Sequence, residues 1–324
     1  MDRPTAGDKA TLICPSYVDG TDTDYYTLFG LEAIMERLDG GIRYDLGRDF
    51  LGSARLNLQH YLWKDTLNYD IHPSIPVAHD HLRIADVGTG TGIFLLGLCR
   101  RLPPSTSFQG LDVSADQFPN AEWTPANVSF RKVDAMQDPP ADLQGKFDIV
   151  HLRLFTCVVE NDDPLPILSH CLSLLKPGGY LQWDEYDSGT TGVIGSTPGA
   201  PTQLLNSMLQ AMGSNRPLSF PDNSWIPRLD DLFRAQGMQS VQKISTRPPP
   251  ELLKAYTEML LVAHLEHASL HDADGASVGG DRLRKLIGQG AEEMKKGGAF
   301  NHMLQVVVGR KPCVFSEGSG EKSS

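Results

Sequence analysis

A short apolar run, LRIADVG (82–88), breaks on Gly88-Thr-Gly90-Thr-Gly92 and resumes as a helical pattern, IFLLGLCRRL (93–102), stopped by Pro103-Pro104. A strand that turns on glycines directly into a helix constrains the chain around it. The natural continuation is a crossover into a parallel neighbour. The sequence supplies the partners: FQGLDVS (108–114), NVSFRKVD (127–134), FDIVHLRLF (147–155) and GYLQWDEYD (179–187) are all rich in β-formers. A helix is expected over 165–175, ended by Lys-Pro-Gly-Gly. Strands alternating with helices predict right-handed βαβ units in an α/β, doubly wound parallel sheet. The strands lack strict alternation, as strands covered on both faces do.

Residues 1–80 carry no strand pattern. Leu28, Leu31, Met35 and Leu38 recur at helical spacing, a second helical stretch covers 48–67, and IHPSIPVAHDH reads as a linker. This part is therefore expected to be a helical extension or cap. After the fifth strand, the stretch DSGTTGVIGSTPGAP (187–201) has no periodicity and is expected to be a mobile loop. Helices are expected at 201–213, 226–236, 250–271 and 280–296, and strands at 238–245 and 302–311. The expected division is 1–80, then 81–312 with a helical insert at 249–299, then a disordered tail at 313–324.

Charge narrows the function. With 29 Lys+Arg against 40 Asp+Glu the net charge is −11, and no basic run exceeds Arg100-Arg101 or Lys295-Lys296. Nucleic-acid affinity rests on clustered cations, so no nucleic-acid partner is expected. No apolar stretch reaches bilayer length, the amino terminus lacks a signal pattern, and the five cysteines show no C-x-x-C spacing. The expectation is a cytoplasmic protein without membrane contact. His264, His267 and His271 share one side of a predicted helix, but no carboxylate joins them in frame. They read as the edge of a packed face, and no metal is expected.

Glycines at 88 and 90 let the backbone turn tightly and let a ligand approach the main chain. The dinucleotide fingerprint fails, because its third glycine would be Ile93 or Leu95, and the Walker lysine is missing. Asp112 follows Gly92 by 20 residues, where a carboxylate can accept both ribose hydroxyls. Asp134 closes the third strand. Together with Asp86 these acids would line one crevice at the strand ends and suit a cationic, phosphate-free nucleoside. The alternative is that each aspartate merely caps a turn.

With ADVGTGTGIFLLGLCRRLP, FQGLDVS, KVDAM, KFDIVHLRLF and LLKPGGYLQWDEYD in view, the chain resembles the class I S-adenosylmethionine-dependent methyltransferases. The stretch YDLGRDFLGSARLNLQHYLW (44–63) followed by IHPSIP is similar to fungal secondary-metabolite methyltransferases. Those include the gliotoxin-type thiomethyltransferase and, more distantly, methyltransferase-like regulators of the velvet complex. The resemblance implies a Rossmann-like seven-stranded sheet of order 3-2-1-4-5-7-6, its last strand antiparallel, and S-adenosyl-L-methionine as cofactor. It also implies that Gly88 and Gly90 pass beneath the methionine part and that Asp112 holds the ribose. Asp134 would accept from the adenine amino group, with Ala135 and Met136 beside the ring and Gln117 over it. Asp86 would support the loop or meet the amino group through water, Leu152 and Arg153 would line the methionine end, and Tyr44 and Arg48 would reach the carboxylate.

An activated methyl group needs no protein nucleophile, and positioning alone can supply several kcal/mol. A base, if used, should lie past the fourth or fifth strand. His151 qualifies by its ordinary pKa, although a hydrogen-bonded structural histidine fits its place within a strand as well. Glu185 and Asp184 could deprotonate an acceptor or hold a cationic amine beside the face of Trp183; a solvated strand end is the alternative. Trp63 and Trp225 read as core rather than pocket. The expected function is methyl transfer to O, N or S of a small-molecule acceptor. A nuclear regulator of the same fold, or the fold put to non-methylating small-molecule chemistry, remains open at this point.

Overall fold

The computed structural model describes residues 46–214, 224–273 and 277–313. The helical pattern at 24–38, Tyr44, and the tail from 314 lie outside the described residues. Helix α1 (Phe50–Leu67) starts where the Asp49 side chain accepts from the Gly52 N–H at 2.8 Å and ends on Asn68 at φ 60°. The sequence then alternates through β1 (Arg83–Val87), α2 (Ile93–Cys99), β2 (Ser107–Asp112), β3 (Val128–Lys132) and β4 (Phe147–Arg153). Next come α3 (Leu165–Leu174), β5 (Leu175–Gly195), α4 (Gln203–Ser214), α5 (Leu229–Ala235) and β6 (Gln239–Thr246). Helices α6 (Leu253–Ala273) and α7 (Ser277–Lys295) precede β7 (Gly298–Arg310).

The seven strands form one sheet of order β3-β2-β1-β4-β5-β7-β6, as expected. Strands β1 to β5 pair in parallel, and β7 runs antiparallel between β5 and β6. Apolar side chains fill both sides. Ala85, Val87, Val150, Leu152, Leu181 and Trp183 meet α3 and α5, whereas Ile84, Ile149, Leu304 and Val306 meet α1, α2 and α6. Burial on both faces is what removes the alternation from the strand sequences.

The mobile-loop reading of 187–201 is wrong over most of its length. β5 continues to Gly195, and after an irregularity between Asp187 and Gly192 it pairs Gly192 with Asn301, Val193 with Phe300, Ile194 with Ala299 and Gly195 with Gly298. The partner is correspondingly longer than expected, since β7 begins at Gly298 rather than 302. Glycine and threonine carry little apolar signal of their own. The ribbon is held by its backbone ladder and by Phe300, which is buried against α4 and α7.

Helix α1 lies against α6 through contacts that link distant parts of the sequence. Arg55 Nε donates to Glu266 Oε1 at 2.8 Å with both side chains buried, and Gly47 N–H donates to Glu266 Oε2 at 3.2 Å. Thr66 Oγ1 and Tyr256 Oη share a hydrogen bond of 2.8 Å. These contacts hold α1 against α6, and Asn57 Oδ1 of α1 accepts from Thr91 Oγ1 of the glycine turn.

Candidate functional site

The turn after β1 is built around bare main chain. Gly88 has φ +66°, and a Cβ there would lie 2.7 Å from the Phe155 ring. Gly90 has φ +51°, and its N–H donates to Asp112 Oδ2 at 2.8 Å. The second oxygen, Asp112 Oδ1, accepts from Ser114 N–H at 3.1 Å. Burial raises the Asp112 pKa, opposed by these two N–H groups and by the nearby Arg48 charge. Arg48 is thus brought to the cleft beside Asp112.

Asp134 stands one residue past the ladder in which Val133 N–H donates to the Asp112 carbonyl at 2.7 Å. Its Oδ1 accepts from Met136 N–H at 2.9 Å, so it does cap its own turn. Asp134, Ala135 and Met136 are all half-buried. Gln117 Nε2 donates to Ser53 Oγ at 3.1 Å, which draws its loop against α1. Asp112 and Asp134 therefore sit at adjacent strand ends beside one turn.

Asp86 is placed differently. Its Oδ2 accepts from Thr89 Oγ1 at 2.7 Å, its Oδ1 meets His151 Nδ1 at 2.7 Å, and it is buried beneath the turn. The expectation that all three acids line one crevice thus needs correcting for Asp86, which braces the turn from within. Parallel pairing sets Asp86 beside His151 and His151 beside Gln182, so the three face the same way. His151 is held on its other side by Asp184 Oδ2 at 3.2 Å from Nε2, and Phe94 stacks on the imidazole at 3.8 Å. Both ring nitrogens are engaged, which leaves His151 no free lone pair for an acceptor. Burial opposes the imidazolium, but the two carboxylates outweigh it and hold its pKa above the ordinary value.

Arg153 turns back into this network instead of lining the methionine end. Its Nε and Nη2 reach Asp184 Oδ2 at 3.1 and 3.0 Å, and its guanidinium lies 4.9 Å from the Trp63 ring centroid. Asp184 pays desolvation but is kept below the usual carboxylate range by Arg153 and His151. It is therefore an internal counter-ion and not a base facing an acceptor. Leu152 points into the core on the opposite side of β4, where only its main chain could serve a ligand. Trp225 and Trp63 are fully buried, as a core reading has them.

Trp183 and Glu185 also differ from the acceptor-facing role. The Trp183 ring is enclosed by Trp225 at 5.3 Å and Phe155 at 6.2 Å, and offers no open face. Glu185 Oε1 accepts from Trp183 Nε1 and from Phe155 N–H, both at 2.7 Å. It anchors the turn whose ring supports Gly88. Burial raises the Glu185 pKa to about 8, against those hydrogen bonds. At neutral pH this group is largely the uncharged acid, which a glutamine imitates. Because its folded pKa is raised, its contribution to stability is full below the unfolded value and is lost as pH rises through about 8. The Glu185→Gln variant is therefore expected to gain on the parent as pH rises from 5 to 8.5, read by urea unfolding at each pH. A pH-independent difference would contradict the buried-acid assignment.

Several neighbours carry no signal of their own in the sequence. Leu56 packs over Gly90, Asn57 Oδ1 accepts from Thr91 Oγ1 at 2.7 Å, and Phe155 and Thr89 complete the turn's support. The helical face of 53–57 was the only available signal. His264 lies on α6 with its side chain partly buried, while the side chains of His267 and His271 lie outside the description. Among the described residues no group of three or more His, Cys, Asp or Glu is arranged to hold a metal, and no helix is long and apolar enough to cross a membrane.

Residues 84–179 match the family model described as a methyltransferase domain. The chain is 34% identical over 169 residues to methyltransferase grgD of a Penicillium species, covering 48% of this chain and 56% of that relative. It is 29% identical over 133 residues to N-methyltransferase tcpN of Claviceps purpurea, covering 40% and 47% of the two chains. With N-methyltransferase gliN of Aspergillus fumigatus it is 27% identical over 272 residues, covering 80% of this chain and 93% of that one. Over the first two relatives the match spans about half of their length. Strand order and glycine turn agree with these matches: residues 84–179 are similar to a methyltransferase domain, and the chain is similar to these fungal methyltransferases.

Proposed function

We propose that this chain uses S-adenosyl-L-methionine to methylate a small secondary-metabolite acceptor in the cytoplasm, and that the accepting atom is nitrogen. The observation that carries this reading is the glycine turn tied to the β2 carboxylate, Gly90 N–H to Asp112 at 2.8 Å. Two relatives named as N-methyltransferases support the choice of nitrogen.

The residues present fit the cofactor. A Cβ at Gly88 would collide with Phe155, so the main chain stays bare where the methionine part would pass over Gly88 and Gly90. In this reading Asp112 takes the ribose hydroxyls and Asp134 the adenine amino group, with Ala135, Met136 and Gln117 about the ring. Arg48, with Tyr44, serves the carboxylate end; Leu152 contributes main chain, and Asp86 and Arg153 act from the buried network behind. When bound, the cofactor supplies a methyl group on a sulfonium: the acceptor lone pair forms the N–C bond, the S–C pair stays on sulfur, and the N–H proton is lost.

What remains for the chain is placement. In this reading helices α1 and α6, joined by Arg55 and Glu266, serve as the cover of the cleft, and the paired charges of Asp86, His151, Asp184 and Arg153 lie behind it. No catalytic base is required of Glu185 or His151. S-adenosylhomocysteine is expected to raise the melting temperature in a saturable way, because any ligand preferring the native state does so. Scanning fluorimetry reads this directly, and no shift at saturating ligand would end the proposal. Incubation with methyl-labelled cofactor and a fungal extract should yield a labelled small molecule; label on protein alone would overturn the acceptor class.

A further inference from the structure

Helix α1 is apolar on the side that faces away from the molecule. Its exposed residues recur at the helical period, and the outward stripe is Phe50, Leu51, Ala54, Leu58 and Tyr61, closing on Asp65. Phe50 is 85% exposed, Tyr61 54%, Leu51 41% and Leu58 40%. Polar side chains lie inward instead: Arg55, Gln59 and His60 are buried. A surface helix ordinarily shows charged residues outside, opposite its apolar face. Four large apolar side chains gathered in one stripe mark a face that another element covers.

The spacing points to the occupant. Leu51, Ala54, Leu58 and Tyr61 step by three, four and three residues. Leu28, Leu31, Met35 and Leu38, which lie outside the described residues, step by the same three, four and three. Helical stripes of one period can interlock along their whole length, and each of these would span about 15 Å at the helical rise. Set antiparallel, Leu38 meets Leu51, Met35 meets Ala54, Leu31 meets Leu58 and Leu28 meets Tyr61. A long side chain then falls opposite the smallest one. Asp39-Gly40-Gly41 stops the first stripe, and residues 39–50 give the chain room to reverse. Other occupants fit less well. A tether this short holds its own segment at an effective concentration on the order of millimolar. A second copy would bring together two chains of net charge −11 each. The stripe carries no Lys or Arg to engage the headgroups of an anionic membrane.

We infer that residues 28–38 dock as an antiparallel helix on the Leu51–Ala54–Leu58–Tyr61 stripe of α1. This contact is independent of the methyltransferase reading. Hydrogen–deuterium exchange of the full chain, read by mass spectrometry, tests it. Amides of 28–38 should exchange at least tenfold more slowly than in a synthetic peptide of residues 20–42, because so short a helix is marginal alone. Leu58→Lys should remove most of that protection and leave the amides of β1 to β4 unchanged, since position 58 faces outward. Leu31→Glu should do the same from the other side, and carries the test if the lysine variant does not fold. Combining Leu31→Glu with Leu58→Lys should restore protection, because the register sets the two charges together. Peptide-like exchange of 28–38 in the parent, parent-like protection in both single variants, or no recovery in the double variant would each overturn the inference. Protection that vanishes on dilution, with the mass of a dimer by light scattering, would assign the face to a second copy and overturn it as well.

Discussion

The His151→Phe variant is expected to lose about 3–5 kcal/mol of unfolding free energy at pH 6, the usual cost of removing one partner from a buried charge pair. Phenylalanine keeps a ring against Phe94, so the loss reports on charge rather than on volume. Asp86 would retain only the Thr89 hydroxyl, and Asp184 only Arg153 and Gln182. The sign of the pH dependence follows from the two shifts. The imidazole pKa is raised on folding, so its contribution is full below its unfolded value near 6.5 and is lost as pH rises through the folded value. The Asp184 carboxyl is lowered, so its contribution is present above about 3.8 and is lost as pH falls. The gap between parent and variant should therefore be widest between these limits and narrow on the alkaline side. Urea unfolding from pH 4.5 to 9 measures it. A gap below about 1 kcal/mol throughout would mean that these charges are not held as described.

Asp112→Ala is expected to weaken S-adenosylhomocysteine by tenfold to a hundredfold, because hydrogen bonds to a charged acceptor are worth about 1.5–3 kcal/mol. The same substitution frees the Gly90 and Ser114 N–H groups, so part of the loss arises from a slackened turn. Asp112→Asn keeps one carbonyl acceptor and removes the charge, and should fall between the two. Calorimetry on the folded variants decides the matter; parent-like affinity in Asp112→Ala would remove this carboxylate from the site.

Much of the sheet was legible because its determinants are local. Apolar runs closed by turn residues mark β1 to β4, and the glycines at 88 and 90 announce a bare turn before any contact is known. The antiparallel place of β7 came from the family resemblance, not from periodicity. The β5 extension past Asp187 was hidden because glycine and threonine give no burial pattern, and its partner lies about a hundred residues away. Side-chain direction was the other obstacle. Asp86 looks like Asp112 in sequence, yet it turns inward because parallel register brings His151 alongside. For the same reason Trp183 and Glu185 satisfy each other in the core instead of facing an acceptor.

The strap between α1 and α6 has a consequence for how the protein is born. Arg55 meets Glu266 across 211 residues, whereas β1 to β4 and their glycine turn all lie between residues 83 and 153. On the ribosome the floor of the pocket can assemble while its roof is still unsynthesised, and domains generally form from the amino end first. Until residues 253–273 emerge, Leu62 and Trp63 have no α6 to cover them. The nascent chain must carry that greasy underside through most of its synthesis, and ligand capture becomes the last event of maturation.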